Sequence, residues 1–185
     1  MRHADLIQNF INGLKLPTNV TVKCIFSRAC LSQGDALREL DALGVIRSDP
    51  FILINGDVIS NMDLKKAIAF HKSKRQEDCN CIMTVTMRQV QRQGVGVRPL
   101  SDDLVVALDR HSSQLLLFDS AISSPSVSMP LEIFAAHPNM AIRTDLLDCQ
   151  IDICSPELLL QFSDNFDYQV CTPYLLLSGA RLLSV

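Results

Sequence analysis

No stretch of the chain approaches the ~18 consecutive apolar residues of a membrane-spanning helix, so a membrane protein of that kind is not expected. Basic residues are not in excess either. Seventeen Lys and Arg stand against twenty Asp and Glu, a formal net charge of −3, and the footprint of a non-specific nucleic-acid binder is missing. The N-terminal Met-Arg-His-Ala-Asp-Leu-Ile-Gln-Asn places charge and amides where a secretory signal needs an apolar run. With no such signal, a cytosolic protein is expected and the sequon Asn19-Val-Thr21 carries no meaning. No pair among the seven cysteines has the two-residue gap of a zinc knuckle, and an odd total argues against a disulfide framework. Most of them sit among Ile, Leu and Val, which predicts buried free thiols.

What is present is ordinary globular material. Hydrophobic residues make up 48 % and charged residues 20 % of 185 positions, enough for one domain with a real core and too apolar for general disorder.

Leu6, Ile7, Phe10, Ile11 and Leu14 recur at helical spacing before Gly13 and Pro17, predicting an amphipathic helix over 4–13. Val20, Val22 and Cys24 alternate toward Ile25 and Phe26 and predict a strand. Ser32 or Asp35 can cap a helix carrying Leu37, Leu40 and Leu43, with Gly44 as its left-handed terminator. The most informative stretch follows, Asp49-Pro-Phe-Ile-Leu-Ile-Asn-Gly-Asp57. A short apolar run bounded by Pro and Gly reads as a fully buried strand of a parallel sheet over 51–55. Ligands in such sheets bind at the carboxyl ends of strands, where Asp57 falls after the turn at Gly56. A carboxylate there suits a hard cation held against phosphates, which makes Asp57 the candidate metal residue.

Asn61 can cap a further helix over 63–75, with Leu64, Ala67, Ile68 and His71 on one face and Lys65, Lys66, Lys72, Lys74 and Arg75 over much of the rest. His71 is expected to pack at the edge of the apolar face rather than bind a ligand, and the lysines to be solvated. Cys81–Arg88 is rich in β-branched residues and reads as a buried strand. Residues 89–103 read as an exposed insertion. Leu104–Leu108 and Leu115–Phe118 flank Asp109-Arg-His-Ser-Ser-Gln as a hairpin. Residues 120–130, with five serines and two prolines, read as a loop, and neither His111 nor His137 is given a catalytic role. Leu146–Cys154 is strand-like, and Ser155-Pro-Glu157 predicts a helix start with the serine as cap. The order predicts an α/β sheet that begins parallel and becomes mixed. Residues 170–185 are apolar without clear period. They read either as a helix finishing the core or, the preferred reading, as sequence from a shifted or unspliced frame.

A strand ending in Gly-Asp, a capped helix, a second strand and a Val-Val-x-x-Asp hairpin resemble the nucleotidyltransferase fold of sugar-nucleotide pyrophosphorylases. The likeness narrows at Ser48-Asp-Pro-Phe-Ile-Leu-Ile-Asn-Gly-Asp-Val-Ile-Ser-Asn61, Asp103-Leu-Val-Val-Ala-Leu-Asp109, Asp145-Leu-Leu-Asp-Cys-Gln-Ile-Asp-Ile-Cys-Ser-Pro156 and, most specific, Asp164-Asn-Phe-Asp-Tyr-Gln169. Together these resemble the epsilon-subunit family of eukaryotic translation initiation factor 2B, the guanine-nucleotide exchange factor for initiation factor 2. The resemblance covers about residues 4–169. It implies a partial nucleotidyltransferase-like (Rossmann-like) domain over 1–169, an α/β mixed sheet with helices on both faces, followed by a divergent tail at 170–185.

Departures from the pyrophosphorylase pattern bear on chemistry. Its Gly-rich phosphate loop has no counterpart here, since the first glycine is Gly13. Its Glu-Lys-Pro sugar-phosphate element falls on Phe118-Asp119-Ser120, and its sugar-reading Asn-Ala-Gly on Leu147-Asp148-Cys149. Only Asp57 survives, as a vestigial metal residue, and one carboxylate cannot assemble a two-metal phosphoryl-transfer site. The resemblance therefore implies no catalytic residue, no cofactor and no enzymatic activity. It implies instead pairing with the gamma and other subunits of the exchange factor, a contribution to binding of initiation factor 2, and no direct nucleic-acid or membrane partner. Exchange itself is expected of a C-terminal helical domain that this chain lacks. The competing reading is a pyrophosphorylase whose start is lost. Because the family's first strand is also missing here, Val20–Phe26 is expected either to pair with 51–55 or to stay exposed, leaving an apolar edge open.

Overall fold

A computed structural model describes residues 2–90, 104–120, 126–169 and 180–184. The chain divides into two units, residues 1–31 and 32–185. The first contains helix α1, Arg2–Gly13, as the periodicity predicts. After it, Leu14 N–H donates to Ile11 and Val20 N–H to Pro17, and Ser27 Oγ accepts from the amides of Ala29 and Cys30. Val20–Phe26 forms no strand. Alternation supplied the side chains for one, but a strand exists only where a neighbour takes its backbone groups, and none of the described residues does so.

The second unit opens with α2, Gln33–Ala42, for which both proposed caps act together. Ser32 Oγ accepts from Asp35 N–H, and the Asp35 carboxylate accepts from Ser32 N–H, a reciprocal capping box. Gly44 ends the helix at φ 58°, the left-handed conformation that favours glycine. Strand β1, Phe51–Ile54, follows, then α3, Leu64–Glu77. Asp63, not Asn61, caps α3, through Lys65 N–H. Next come β2, Met83–Gln89; β3, Leu104–Asp109; β4, Leu115–Ser120; the short α4, Leu131–Ala136; β5, Met140–Arg143; β6, Leu146–Cys154; α5, Glu157–Asp164; and β7, Ala180–Ser184. The greater part of the 89–103 insertion and of the 120–130 loop's first half lies outside the described residues, as does 170–179. Of the tail, 180–184 is the strand β7.

Two sheets result. The larger has the order β1-β6-β2-β7, the smaller β4-β3-β5. The sequence reading of β1 as a fully buried parallel strand is corrected here. β1 runs antiparallel to β6, its one strand neighbour among the described residues, and its burial declines from Phe51 to an exposed Ile54. Apolar run length reports how much of a strand is covered, not the direction of its partner. β2 is antiparallel to β6 and parallel to β7, so the sheet is mixed. The hairpin β3–β4 is as predicted, and β5 pairs with β3 on its other side. Leu182 N–H donates to Ser113 O, which ties the hairpin turn to β7.

Alternation on β2 sorts the two faces. Met83, Val85 and Met87 enter the core that also holds Leu37 of α2 and Leu158, Leu159 and Phe162 of α5. Thr84 faces α3 instead, where its hydroxyl meets His71. Helices therefore cover both faces. Cys81 and Cys154 are buried as expected, but Cys79 is exposed and Cys24, Cys30 and Cys149 are half-buried.

The packing of α2 on α5 gives Asp164–Gln169 a structural role. Arg38, a long cation on α2, donates to the carbonyls of Phe162, Asn165 and Tyr168 at 3.1, 3.4 and 3.1 Å. Those carbonyls belong to the end of α5 and the turn beyond it, where intrahelical donors run out. Asp35 pairs with the same guanidinium, which also lies 5.4 Å from the centre of the Phe166 ring. Gly34 N–H closes the contact by donating to Gln169 O at 2.9 Å.

Candidate functional site

β1 delivers the chain to Asn55-Gly56-Asp57 at its carboxyl end, the position the sequence singled out. Val58 N–H donates back to Asn55 O at 3.3 Å, and residues 58–62 then run without regular structure to the cap of α3. Opposite them β6 is interrupted. Val85 pairs with Asp152 and Met87 with Asp148, so three β6 residues face Thr86 alone. Such a bulge re-aims side chains next to a cleft. It is held by Gln150 at φ 55°, by the Asp148 carboxylate accepting from Gln150 N–H at 2.8 Å, and by Thr86 Oγ donating to Ile151 O. Asn55 fastens the bulge to the end of β1 twice, its N–H donating to Gln150 O and its side-chain amide to Gln150 Oε1, both at 3.3 Å. Gln33 Nε2 donates in turn to Asn55 Oδ1 at 3.4 Å.

Between Val58–Met62 and Leu147–Gln150 lies a cleft of about 720 Å³, with Arg88 at its wall. Leu147, Asp148 and Cys149, the residues placed where pyrophosphorylases read the sugar, therefore do line a cavity. Asp57 does not line it; it stands exposed in the turn, with no hydrogen bond to another described residue. Phe118 and Asp119 are also elsewhere, on β4 of the smaller sheet.

The electrostatics are those of a dry wall. Burial pushes the Asp148 carboxyl up, against the lowering effect of the Gln150 amide. Asp152, 8 % exposed, is raised well above the usual carboxylate range, first by burial and then by the Asp148 charge. Burial likewise raises the Cys149 thiol. Burial thus disfavours the charged form of both carboxyls, of which Asp148 alone lines the cleft, and Arg88 is the exposed cation of the lining. Among the described residues no three His, Cys, Asp or Glu side chains gather to hold a metal. A two-metal phosphoryl-transfer centre needs converging carboxylates on both ions, and the donors around Asp57 do not fit one. What the cleft offers is shape, apolar surface from Val58, Ile59, Met62 and Leu147, and amide and guanidinium donors.

Arg88 escaped the sequence reading as a residue of the cleft. Asp148 and Asp152 were visible as carboxylates inside a strand-like run, which is an available sign of unusual burial; the bulge that sets them had no such sign.

The architecture and sequence have known counterparts. No family model matches the chain. It is 43 % identical over 169 residues to the translation initiation factor eIF2B subunit epsilon of Dictyostelium discoideum, covering 90 % of this chain and 24 % of that protein. It is 41 % identical over 171 residues to the subunit of the same name from Schizosaccharomyces pombe, covering 90 % of this chain and 25 % of that one. The chain spans about a quarter of the length of these curated relatives. Among solved structures, HddC from Yersinia pseudotuberculosis superposes with a TM-score of 0.52 at 18 % identity, over 97 % of this chain and 64 % of that one. At that identity the likeness shows the fold, which is nucleotidyltransferase-like. No helix of the described residues is long and apolar enough to cross a membrane. Over 90 % of its length the chain is similar to eIF2B epsilon subunits, and its mixed α/β fold is nucleotidyltransferase-like.

Proposed function

We propose that the chain is an assembly module of the eIF2B exchange complex in translation initiation, pairing with the gamma subunit and contributing to the binding of initiation factor 2 in the cytosol. The observation that carries this reading is the 43 % identity to an eIF2B epsilon subunit over 90 % of the chain. The cleft at the end of β1 supports the non-enzymatic half of the proposal. Asp57 stands apart from it, and burial raises the one carboxyl that lines it, Asp148, so it is less suited to gripping metal-bound phosphates. Exchange activity belongs to the full-length subunit, and this chain alone has none.

Co-expression of the tagged chain with the gamma subunit, followed by size exclusion, tests the proposal. A stoichiometric complex is expected, together with no magnesium-dependent release of pyrophosphate from nucleotide sugars. Pyrophosphate release would favour the pyrophosphorylase reading, and failure to form the complex would remove the assembly role. Asp57→Ala should leave complex formation within about twofold of the parent, since surface substitutions away from special features move free energies by about 0.5 kcal/mol at most. A larger loss would make Asp57 part of the assembly surface.

A further inference from the structure

Two Asn-Gly pairs occur in the chain, Asn12-Gly13 and Asn55-Gly56. The backbone nitrogen that follows an asparagine can attack its side-chain amide, and a glycine there offers the least steric resistance. The structure sets the two pairs apart. Asn12 and Gly13 end helix α1, where Gly13 N–H belongs to the helical ladder and Gln8 Nε2 donates to Asn12 Oδ1 at 3.0 Å. Asn55 and Gly56 stand exposed in the turn after β1. Gly56 N–H makes no hydrogen bond to another described residue, and a Cβ at Gly56 would meet nothing within 4 Å. The Asn55 side chain is held by its 3.3 Å bond to Gln150 Oε1 and the 3.4 Å bond from Gln33 Nε2, both longer than ordinary N–H···O bonds.

We propose that Asn55-Gly56 is a self-modification site, at which Asn55 converts spontaneously to aspartate and iso-aspartate and so unfastens β1 from the β6 bulge. Hydroxide takes the Gly56 N–H proton, the nitrogen attacks Asn55 Cγ, and a five-membered imide closes. The Cγ–Nδ2 bond breaks, and the leaving nitrogen takes a proton from water and departs as ammonia, which restores the hydroxide. Water then opens the imide at either carbonyl. Breaking the new N–Cγ bond gives aspartate; breaking the original peptide bond leaves the chain linked through Cγ, which is iso-aspartate. Nothing is oxidised or reduced. Either product replaces the amide that donates to Gln150 Oε1 by a carboxylate, which cannot donate. Iso-aspartate also adds Cβ to the main chain at the start of the turn that Val58 N–H closes on Asn55 O, and from that turn the cleft wall Val58–Met62 continues. The wall facing Cys149 is loosened as a result. The inference does not rest on the role in the exchange complex.

The test is to age the folded full chain at mildly alkaline pH and map its peptides by mass spectrometry. The mass gain of replacing NH2 by OH should accumulate at Asn55 at least about tenfold faster than at Asn12, whose helical backbone keeps the reacting atoms from near-attack geometry. Unfolding in guanidinium chloride should bring the two rates together. Gly56→Ala, which meets no clash, should slow the conversion about tenfold by narrowing the backbone angles open to the attacking nitrogen. Asn55→Gln, whose longer side chain cannot close the five-membered ring, should abolish it at that position. Ion exchange separates the converted chain by its added negative charge, and its Cys149 should be alkylated severalfold faster than in the unconverted chain. Equal rates at positions 12 and 55 in the folded chain, no product at 55, or indifference to Gly56→Ala would overturn the site. An unchanged Cys149 rate would overturn the unfastening.

Discussion

Gly34→Ala is expected to lower the free energy of unfolding by about 3 kcal/mol, the upper range for forcing extra volume into a packed contact. A methyl group at Gly34 would stand 2.1 Å from Tyr168 O, with Tyr168 C at 3.1 Å and Phe162 Cδ1 at 3.2 Å. The nearest atom is backbone, so no side-chain rotation relieves the clash; either α2 or the 164–169 segment must move. Moving that segment stretches the hydrogen bond from Gly34 N–H to Gln169 O and the three that Arg38 makes to carbonyls of the same turn. Bonds to a charged donor contribute about 1.5–3 kcal/mol each, more than neutral ones, so the turn resists. Urea denaturation followed by circular dichroism measures the loss, with Gly56→Ala as the comparison, since nothing lies within 4 Å of that Cβ position. A cost for Gly34→Ala below about 1 kcal/mol would show that the turn yields freely, and the account of the α2–α5 clamp would be wrong.

That clamp also shows what a sequence does and does not disclose. Ser32, Asp35 and Gly44 act within a few residues of one another, and capping chemistry is local, so α2 was legible from end to end. The same holds for the β3–β4 hairpin around Asp109, whose carboxylate accepts from the amides of His111 and Ser112. Arg38 and Gly34, by contrast, matter because of carbonyls more than a hundred residues away. Ser155 failed as a cap for a related reason. The Ser-Pro-Glu pattern suits a helix start, yet α5 has no side-chain cap, because the hydroxyl is taken by His71 from another element. β1 was recognised as a strand but given the wrong partner direction, since its burial depends on β6, which returns antiparallel. Asp57 was legible as the residue after a strand and turn, but it stands outside the cleft. The cleft wall at Leu147–Gln150 was legible only through a resemblance, because the bulge at Gln150 has no periodicity to betray it.

The pH dependence of stability should carry the mark of His71. Its side chain is fully buried, with Nδ1 2.9 Å from Thr84 Oγ and Nε2 3.0 Å from Ser155 Oγ. A neutral imidazole has one donor and one acceptor, and two hydroxyls can satisfy both. Protonation puts a charge into that enclosure. Burial holds the imidazole below its ordinary value, the nearby Arg75 guanidinium adds to this, and Asp49 and Glu157 oppose it. The unfolded chain then binds more protons than the native one between the folded-state value and about 6.5. Stability contributed by neutral His71 is therefore complete above about pH 6.5 and is lost as pH falls through the folded-state value. Asp148 and Asp152 act in the opposite sense, being raised by burial, so the total profile mixes signs. The difference between the parent and His71→Gln isolates the histidine. His71→Gln keeps one donor and one acceptor but not their spacing, and should cost about 2 kcal/mol near pH 8, where a buried hydroxyl loses its partner. The gap should narrow as pH drops from 7 toward 5, since only the parent suffers the protonation. A gap that stays constant over that range, measured by denaturant midpoints at fixed ionic strength, would mean that His71 opens to water before it titrates, and that its two hydroxyl partners do not hold α3 to the sheet.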